Sequence, residues 1–515
     1  VESPLHNVGG WLARWARIAG DRLAVVDGDR ELTYARLHER SARCAGALAR
    51  RGLERGDRVA LLLGNRSAYL EAVFAAACLG AVAVPVNARF TAREIRRVLE
   101  DCTPRLLIHE ASRAATVEAA CAELPAPPAA LACGGERDAY EEALAEPATA
   151  AAVAPVAPDH PMILMYTSGT TGAPKGALLP HRKTLFNSLN AQLYFDLTRD
   201  DRVLVPLPLF HSFGLSILSI PTLYAGAALF LERRFDPRAV WRAVERHRIT
   251  FFGGVPTQFR ALLDVLEQAA PRRFDLGSLR FLFTAGAAVP VETVRGYQAR
   301  GLVLKQGYGQ TETSILTCLD ARDAVRKAGT VGRPVFHAEV RVVAPDGLPS
   351  PPERWRDVAV GEAGEIVVRG PITMLGYWND PEATAETLRG EWLRTGDLAT
   401  VDDEGFLTLV GRARQMYISG GENVYPAEIE AVYAEHPAIR EIAVVGVPDP
   451  KWGEVGRAYV VLRPGGRLDA EALRAWGGER LARFKLPAEF VALPALPRTE
   501  SGKVQKHRLT EGDPS

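Results

Sequence analysis

Lysine is scarce in this chain. Of 62 basic residues in 515, eight are lysines (175, 183, 305, 327, 451, 485, 503 and 506) and the rest are arginines. In so arginine-rich a background, a retained lysine is a candidate for a place that needs a compact ammonium rather than a guanidinium fork. Cysteine is also sparse: residues 44, 78, 102, 121, 133 and 318 contain no C-x-x-C pair, which argues against a zinc site and a disulfide framework. Net charge is absent, with 62 acidic residues against 62 basic, so nothing points to nucleic acid or an anionic membrane surface as partner. No apolar run is long enough to span a bilayer; the longest, Val73 to Val86, contains Gly80 and Pro85. The opening Val1-Glu-Ser-Pro4 has no basic segment leading into an apolar one, and the expectation is a cytoplasmic protein. Neither a Gly-Lys-Ser/Thr P-loop ending nor a helix-opening dinucleotide fingerprint occurs at the glycine clusters.

What is present is organised around Tyr166-Thr-Ser-Gly-Thr-Thr-Gly-Ala-Pro-Lys-Gly176, which follows the apolar run Met162–Met165. Glycines that let backbone N–H groups approach closely, several hydroxyls and one ammonium suit a polyphosphate. Taken alone the cluster also fits an ordinary turn. Around it the chain reads as alternating strands and helices, implying mostly parallel sheets covered by helices. Three successive apolar strands then run into glycine-containing loops: Gly253-Gly-Val-Pro, Thr284-Ala-Gly-Ala-Ala288 and Gln306-Gly-Tyr-Gly-Gln-Thr-Glu312. In a parallel sheet such loops gather at the carboxyl ends of the strands, where ligands bind. The Ala- and Pro-rich stretch 123–158 reads as an irregular connection. Residues 330–410 read as short strands of a small antiparallel barrel, and the remainder is long enough for a separate unit.

These motifs resemble the adenylate-forming superfamily: acyl-CoA synthetases, peptide-synthetase adenylation domains and luciferases. Beyond the three already quoted, the resemblance rests on Gly376-Tyr-Trp, Trp392-Leu-Arg-Thr-Gly-Asp397, Gly411-Arg412, Ser419-Gly-Gly-Glu-Asn-Val-Tyr-Pro426 and Pro497-Arg-Thr-Glu-Ser-Gly-Lys503, all in the family's order. It implies an α/β fold. A large N-terminal domain would span 1–412, with two βα-layered subdomains (about 1–155 and 156–330) and a small antiparallel barrel (331–412). A mobile, smaller α+β domain would follow at 413–515. The resemblance also implies ATP, Mg²⁺ and coenzyme A. Thr167, Ser168, Gly169, Thr170, Thr171, Gly172 and Lys175 would hold the triphosphate. Tyr308 would stack on adenine, with Gly286, Ala287 and Ala288 on its other side and Gly309 and Gln310 beside it. Thr311 would donate to a phosphate or the carboxylate. Glu312 would hold Mg²⁺ with Thr170, Asp397 the ribose hydroxyls, and Arg412 the ribose or a phosphate. Lys503 would bridge carboxylate and α-phosphate where two anions are driven together. Arg414 falls at the family's hinge, and Ser419, Gly420 and Gly421 would form a pantetheine tunnel gated by His211.

The implied reaction is AMP-forming acyl-CoA synthesis. The acid would lie along Phe213, Gly214 and Ile217, with Gly307 and Gly309 leaving an apolar slot. No aspartate stands in 211–217 to pair an ammonium, and Gly307 offers no charge for a second carboxylate. An unpaired buried charge is costly, so the acid is expected to be neutral beyond its reacting group. A fatty or other aliphatic acid is the first expectation and a cinnamate- or benzoate-type aryl acid the alternative. A carrier protein's phosphopantetheine is the rival acceptor to CoA, a homodimer is left open, and a non-catalytic nucleotide sensor is the reading outside enzymes. Residues 349–360 look longer than the usual hairpin turn.

Overall fold

The computed structural model describes residues 1–147, 152–167, 174–268, 274–287, 289–348, 350–419, 422–481, 483–499 and 504–510. Two helix-covered sheets make up most of it. One has seven strands in the order Gly376–Tyr377, Lys175–Pro180, Pro161–Thr167, Val82–Pro85, Arg58–Leu62, Leu106–Glu110 and Ala129–Cys133. The last five of these are parallel, while Pro161–Thr167 and Lys175–Pro180 pair antiparallel on either side of the glycine-rich segment. The other sheet has nine strands. Its parallel centre runs Leu304–Gln310, Phe281–Thr284, Phe251–Gly254, Arg202–Val205, Ala228–Leu231 and Leu23–Asp27.

The helix Ser67–Leu79 shows why two sheets stack. Its sequence, SAYLEAVFAAACL, is apolar on nearly every side, and residues 67–78 are all buried. A helix without a polar face has to be covered all round. Its one carboxylate, Glu71, is paired with Arg40 through two bonds of 2.7 and 3.0 Å and with the Tyr140 hydroxyl at 2.9 Å.

Strands cross the expected boundary near residue 155. Leu23–Asp27 and Arg30–Thr33 complete the nine-stranded sheet, whereas Pro161–Pro180 and Gly376–Tyr377 complete the seven-stranded one. The stretch 123–158 is not all irregular either. Ala129–Cys133 pairs in parallel with Leu106–Glu110, and the helix Ala139–Ala145 supplies the Tyr140 that meets Glu71. Alanine, prolines before it, glycines after it and the lack of β-branched residues conceal that strand from propensity.

Residues 339–412 form a five-stranded antiparallel sheet, and 417–492 a second five-stranded sheet carrying the helices Pro426–Ala434 and Ala470–Gly478. The extra residues near 349–360 have a structural use. Trp355 packs edge-on to Trp392 at 6.2 Å, in a small core with Val343, Leu348 and Val367.

Candidate active site

The hairpin Pro161–Pro180, the strand pair 304–318 and the segment 374–380 meet at one end of the two sheets. Lys175 opens its strand, with Nζ 3.7 Å from Asp380 Oδ2 and 5.4 Å from the centre of the Tyr377 ring. Tyr377 pairs with Ala177 across the sheet edge, and its hydroxyl donates to Glu312 Oε1 at 2.9 Å. The backbone ties the same parts: Met374 N–H donates to the Glu312 carbonyl at 2.8 Å and Trp378 N–H to the Gly176 carbonyl at 2.7 Å. An ammonium and a half-buried carboxylate thus flank one phenol. Burial, reinforced by the Glu312 charge, raises the Tyr377 phenol's pKa and keeps it protonated as a donor.

A second group centres on Asp397, whose side chain is 8% exposed. The Tyr308 hydroxyl and Gln310 Nε2 both donate to Oδ2 at 2.6 Å, and Arg412 Nε lies 3.0 Å from Oδ1. Asp397 and Arg412 face each other on neighbouring antiparallel strands, so register alone joins them. Tyr308 is buried, and its pKa is raised by that burial first and by Asp397 second. Tyr308, Gln310, Asp397 and Arg412, four of the residues expected at adenine and ribose, are therefore together. Gly286, with φ +89°, and Ala287 are exposed at the end of Phe281–Thr284.

The signature 306–312 is not the loop expected from its glycines. Leu304–Gln310 is one strand, paired antiparallel with Ser314–Cys318, and only Thr311–Thr313 turn. Its glycines also do different work from the expected acid slot. A Cβ on Gly307 would lie 2.7 Å from the Phe283 ring, and one on Gly309 would collide with the Ser314 carbonyl. Phe283 and the hairpin backbone take that space. Thr311 and Glu312 sit half-buried at the turn, with Thr313 Oγ accepting from Gln310 N–H at 3.1 Å.

The acid-side residues lie on a π-helix, Phe213–Ser219, preceded by His211, whose ring is 4.6 Å from that of Phe210. Such wide turns concentrate at functional sites. Phe213 stands edge-on to Phe283 at 5.7 Å and lies over Gly253, where a Cβ would come within 2.8 Å of the ring. Gly214 and Ile217 are buried in the same helix. Thr167 ends its strand with Oγ1 donating to the Lys175 carbonyl at 3.3 Å. Ser419 is buried and pairs with Gly453 in the C-terminal sheet, away from the groups above in sequence and sheet. Ser168, Gly169, Thr170, Thr171, Gly172, Ala288, Gly420, Gly421 and Lys503 lie outside the described residues, as does the side chain of Arg414.

Two residues escaped the sequence reading as site groups. Tyr377 lay inside a matching motif without an assigned role, and Lys183, in the helix that follows Lys175, is wholly enclosed. The scarcity of lysine was the available signal for the second.

Comparison with known proteins shows the family. The family described as AMP-binding enzyme matches residues 12–378, and its C-terminal domain matches 428–503. A feruloyl-CoA synthase of an Amycolatopsis species is 44% identical over 505 residues, 97% of this chain and 98% of that one. A long-chain-fatty-acid–CoA ligase of Mycobacterium tuberculosis is 36% identical over 506 residues, 98% of each chain. The structure of the Bacillus subtilis O-succinylbenzoate coenzyme A synthetase in complex with ATP and magnesium superposes with a TM-score of 0.85 at 32% identity, covering 97% of this chain and 99% of that one. The chain belongs to the AMP-binding enzyme family, in the acyl-CoA synthetase branch of the adenylate-forming superfamily.

Proposed function

We propose that this chain is an AMP-forming acyl-CoA synthetase, an acid-thiol ligase that activates an apolar carboxylic acid with ATP and passes the acyl group to coenzyme A. The observation carrying the site assignment is the convergence of Lys175, Tyr377 and Glu312 on one side and Tyr308, Gln310, Asp397 and Arg412 on the other. The first group has the charges for a triphosphate and the second has an aromatic ring beside a carboxylate, as an adenosine needs.

The carboxylate oxygen attacks the α-phosphorus and pyrophosphate leaves. Lys175 and the Thr167–Gly172 segment bind the departing phosphates, Thr311 donates to the reacting end, and Lys503 offsets the charge of two approaching anions. The donor set at Glu312 suits magnesium: Tyr377 donates to Oε1, and among the described residues no side chain bonds Oε2, an oxygen of the kind a hard cation seeks. Glu312, with Thr170, would hold that ion, which when bound neutralises charge on phosphate oxygens. In the second half-reaction the CoA thiolate attacks the acyl carbonyl and AMP leaves. For this step the domain beginning near residue 413 turns about Arg414, withdrawing Lys503 and bringing Ser419–Gly421 to the acyl group past His211.

Between the two acids left open, the aromatic wall favours an aryl acid. Phe213 and Phe283, edge to face beside Gly253, would present aromatic faces to a flat acid. The 44% identity to a feruloyl-CoA synthase points the same way. A panel of benzoates, cinnamates and C4 to C16 fatty acids, scored by pyrophosphate release with and without CoA, tests the reading. Expected is CoA-stimulated turnover greatest with a cinnamate-sized acid. No pyrophosphate from any acid would refute the function, and a best rate with a long alkyl acid would refute the substrate.

A further inference from the structure

The helix His181–Phe195 turns a polar face inward. Lys183, Thr184, Asn187, Ser188 and Asn190 are all buried. Asn187 reaches both halves of the site: its Oδ1 accepts from Ile315 N–H at 3.2 Å, and its Nδ2 donates to the Ser216 carbonyl in the π-helix at 2.7 Å. One turn earlier, Lys183 is 1% exposed and its ammonium donates to Ser314 Oγ. No carboxylate among the described residues comes within ion-pairing distance of Lys183. The opposite charge that it senses is that of Glu312, two residues before Ser314.

Ser314 is itself strained. Its φ of +60° lies in the left-handed region, which a serine adopts only when its surroundings impose it. That conformation ends the Thr311–Thr313 turn and starts the return strand. An unpaired ammonium in the interior is expensive, and a methionine would fill the same volume without the expense. Burial indeed pulls the Lys183 pKa down to about 7, against the pull of the Glu312 carboxylate. Stability gives no reason for a lysine here.

We propose that Lys183 is a positioning residue for nucleotide activation. By gripping Ser314 from beneath, it holds the Thr311–Glu312 turn in the shape that presents the Glu312 carboxylate to magnesium and the phosphates. The inference rests on the assignment of Glu312 to magnesium made above, and it assigns Lys183 no contact with substrate.

The test compares wild type with Lys183→Met and Ser314→Gly; glycine accepts the positive φ without strain while removing Oγ. Pyrophosphate release is measured against Mg²⁺, ATP and acid in turn, and thermal unfolding with and without Mg·ATP. The half-saturating Mg²⁺ concentration and the KM for ATP are expected to rise about tenfold in both variants, the worth of one lost hydrogen bond to a charged group. The KM for the acid should hold, and kcat should stay within about threefold of wild type. The Tm of the free protein should not fall for Lys183→Met, while the rise in Tm produced by Mg·ATP should shrink. Unchanged Mg²⁺ and ATP dependence in both variants overturns the proposal. So does a lower Tm with parallel losses for acid and nucleotide, the mark of a merely structural residue. Wild type without magnesium-dependent pyrophosphate release would instead remove the reading on which the proposal stands.

Discussion

Asp397, the proposed ribose carboxylate, already holds donors of its own. Both of its oxygens are occupied, Oδ2 by Tyr308 and Gln310 and Oδ1 by Arg412. Ribose hydroxyls would share these oxygens or exchange with their donors, and a Tyr308 ring turned toward adenine would release one of them. Asp397 and Tyr308 could be recognised in the sequence only through their motifs, since a turn aspartate and a core tyrosine look the same in isolation. His181 makes a sharper case. It is fully buried, its Nδ1 accepts from Val8 N–H at 3.2 Å, and its Nε2 has no partner among the described residues. Burial, aided slightly by His160, lowers its pKa from 6.5 to about 3. The folded state therefore keeps it neutral where the unfolded chain takes up a proton. Stability from this group is whole above the unfolded value and is lost as pH falls from 6.5 toward 3, by about 1.4 kcal/mol per unit. His181→Asn, whose Oδ1 can still accept from Val8, should flatten denaturation midpoints between pH 7 and pH 5 relative to wild type; parallel profiles would contradict the assignment.

At the scale of elements, the proposed acid slot would be shaped by the π-helix Phe213–Ser219 together with the strand Phe281–Thr284. Phe213→Ala removes the ring that lies over Gly253, and Gly253→Ala pushes the same ring outward from a Cβ 2.8 Å away. The first should enlarge the slot and the second narrow it. The ratio of kcat/KM between a cinnamate-sized and a longer acid is then expected to move in opposite directions, by about tenfold for Phe213→Ala. Identical acid preferences in wild type and both variants would remove Phe213 from the pocket. The strand Leu304–Gln310 shows where local reading failed. Two glycines in five residues argue for a loop, yet Gly307 makes room for Phe283 and Gly309 for a carbonyl across the hairpin. That demand comes from a neighbouring strand, and no local propensity records it.

Across the whole molecule, the two sheets exchange strands, and the proposed nucleotide site draws on pieces far apart in the chain: 175, 308–312, 377 and 397. The division near 412 is of another kind. There the Ala413–Gln415 turn follows the last strand of one antiparallel sheet and leads into the next. If the reaction turns on rotation at this point, its halves should separate. Lys503→Ala should lower adenylate formation by at least about a hundredfold, because it removes a charge used only in that transition state. It should largely spare thioester formation from supplied acyl-adenylate. Arg414→Pro, which fixes one backbone torsion, should do the reverse. Equal loss of both halves in either variant would count against the rotation.

The order of motifs from Tyr166 to Lys503 was enough to place the chain in its family, because close backbone approach, a hydroxyl-rich turn and a lone lysine are properties of residue type and local spacing. The apolar character of Ser67–Leu79 on nearly every side is likewise a local property, and it requires burial. The inward polar face of His181–Phe195, the grip of Lys183 on Ser314 and the crossing of strands between sheets could not be read that way. Each depends on which distant backbone arrives opposite a given side chain, and that is settled when the chain packs.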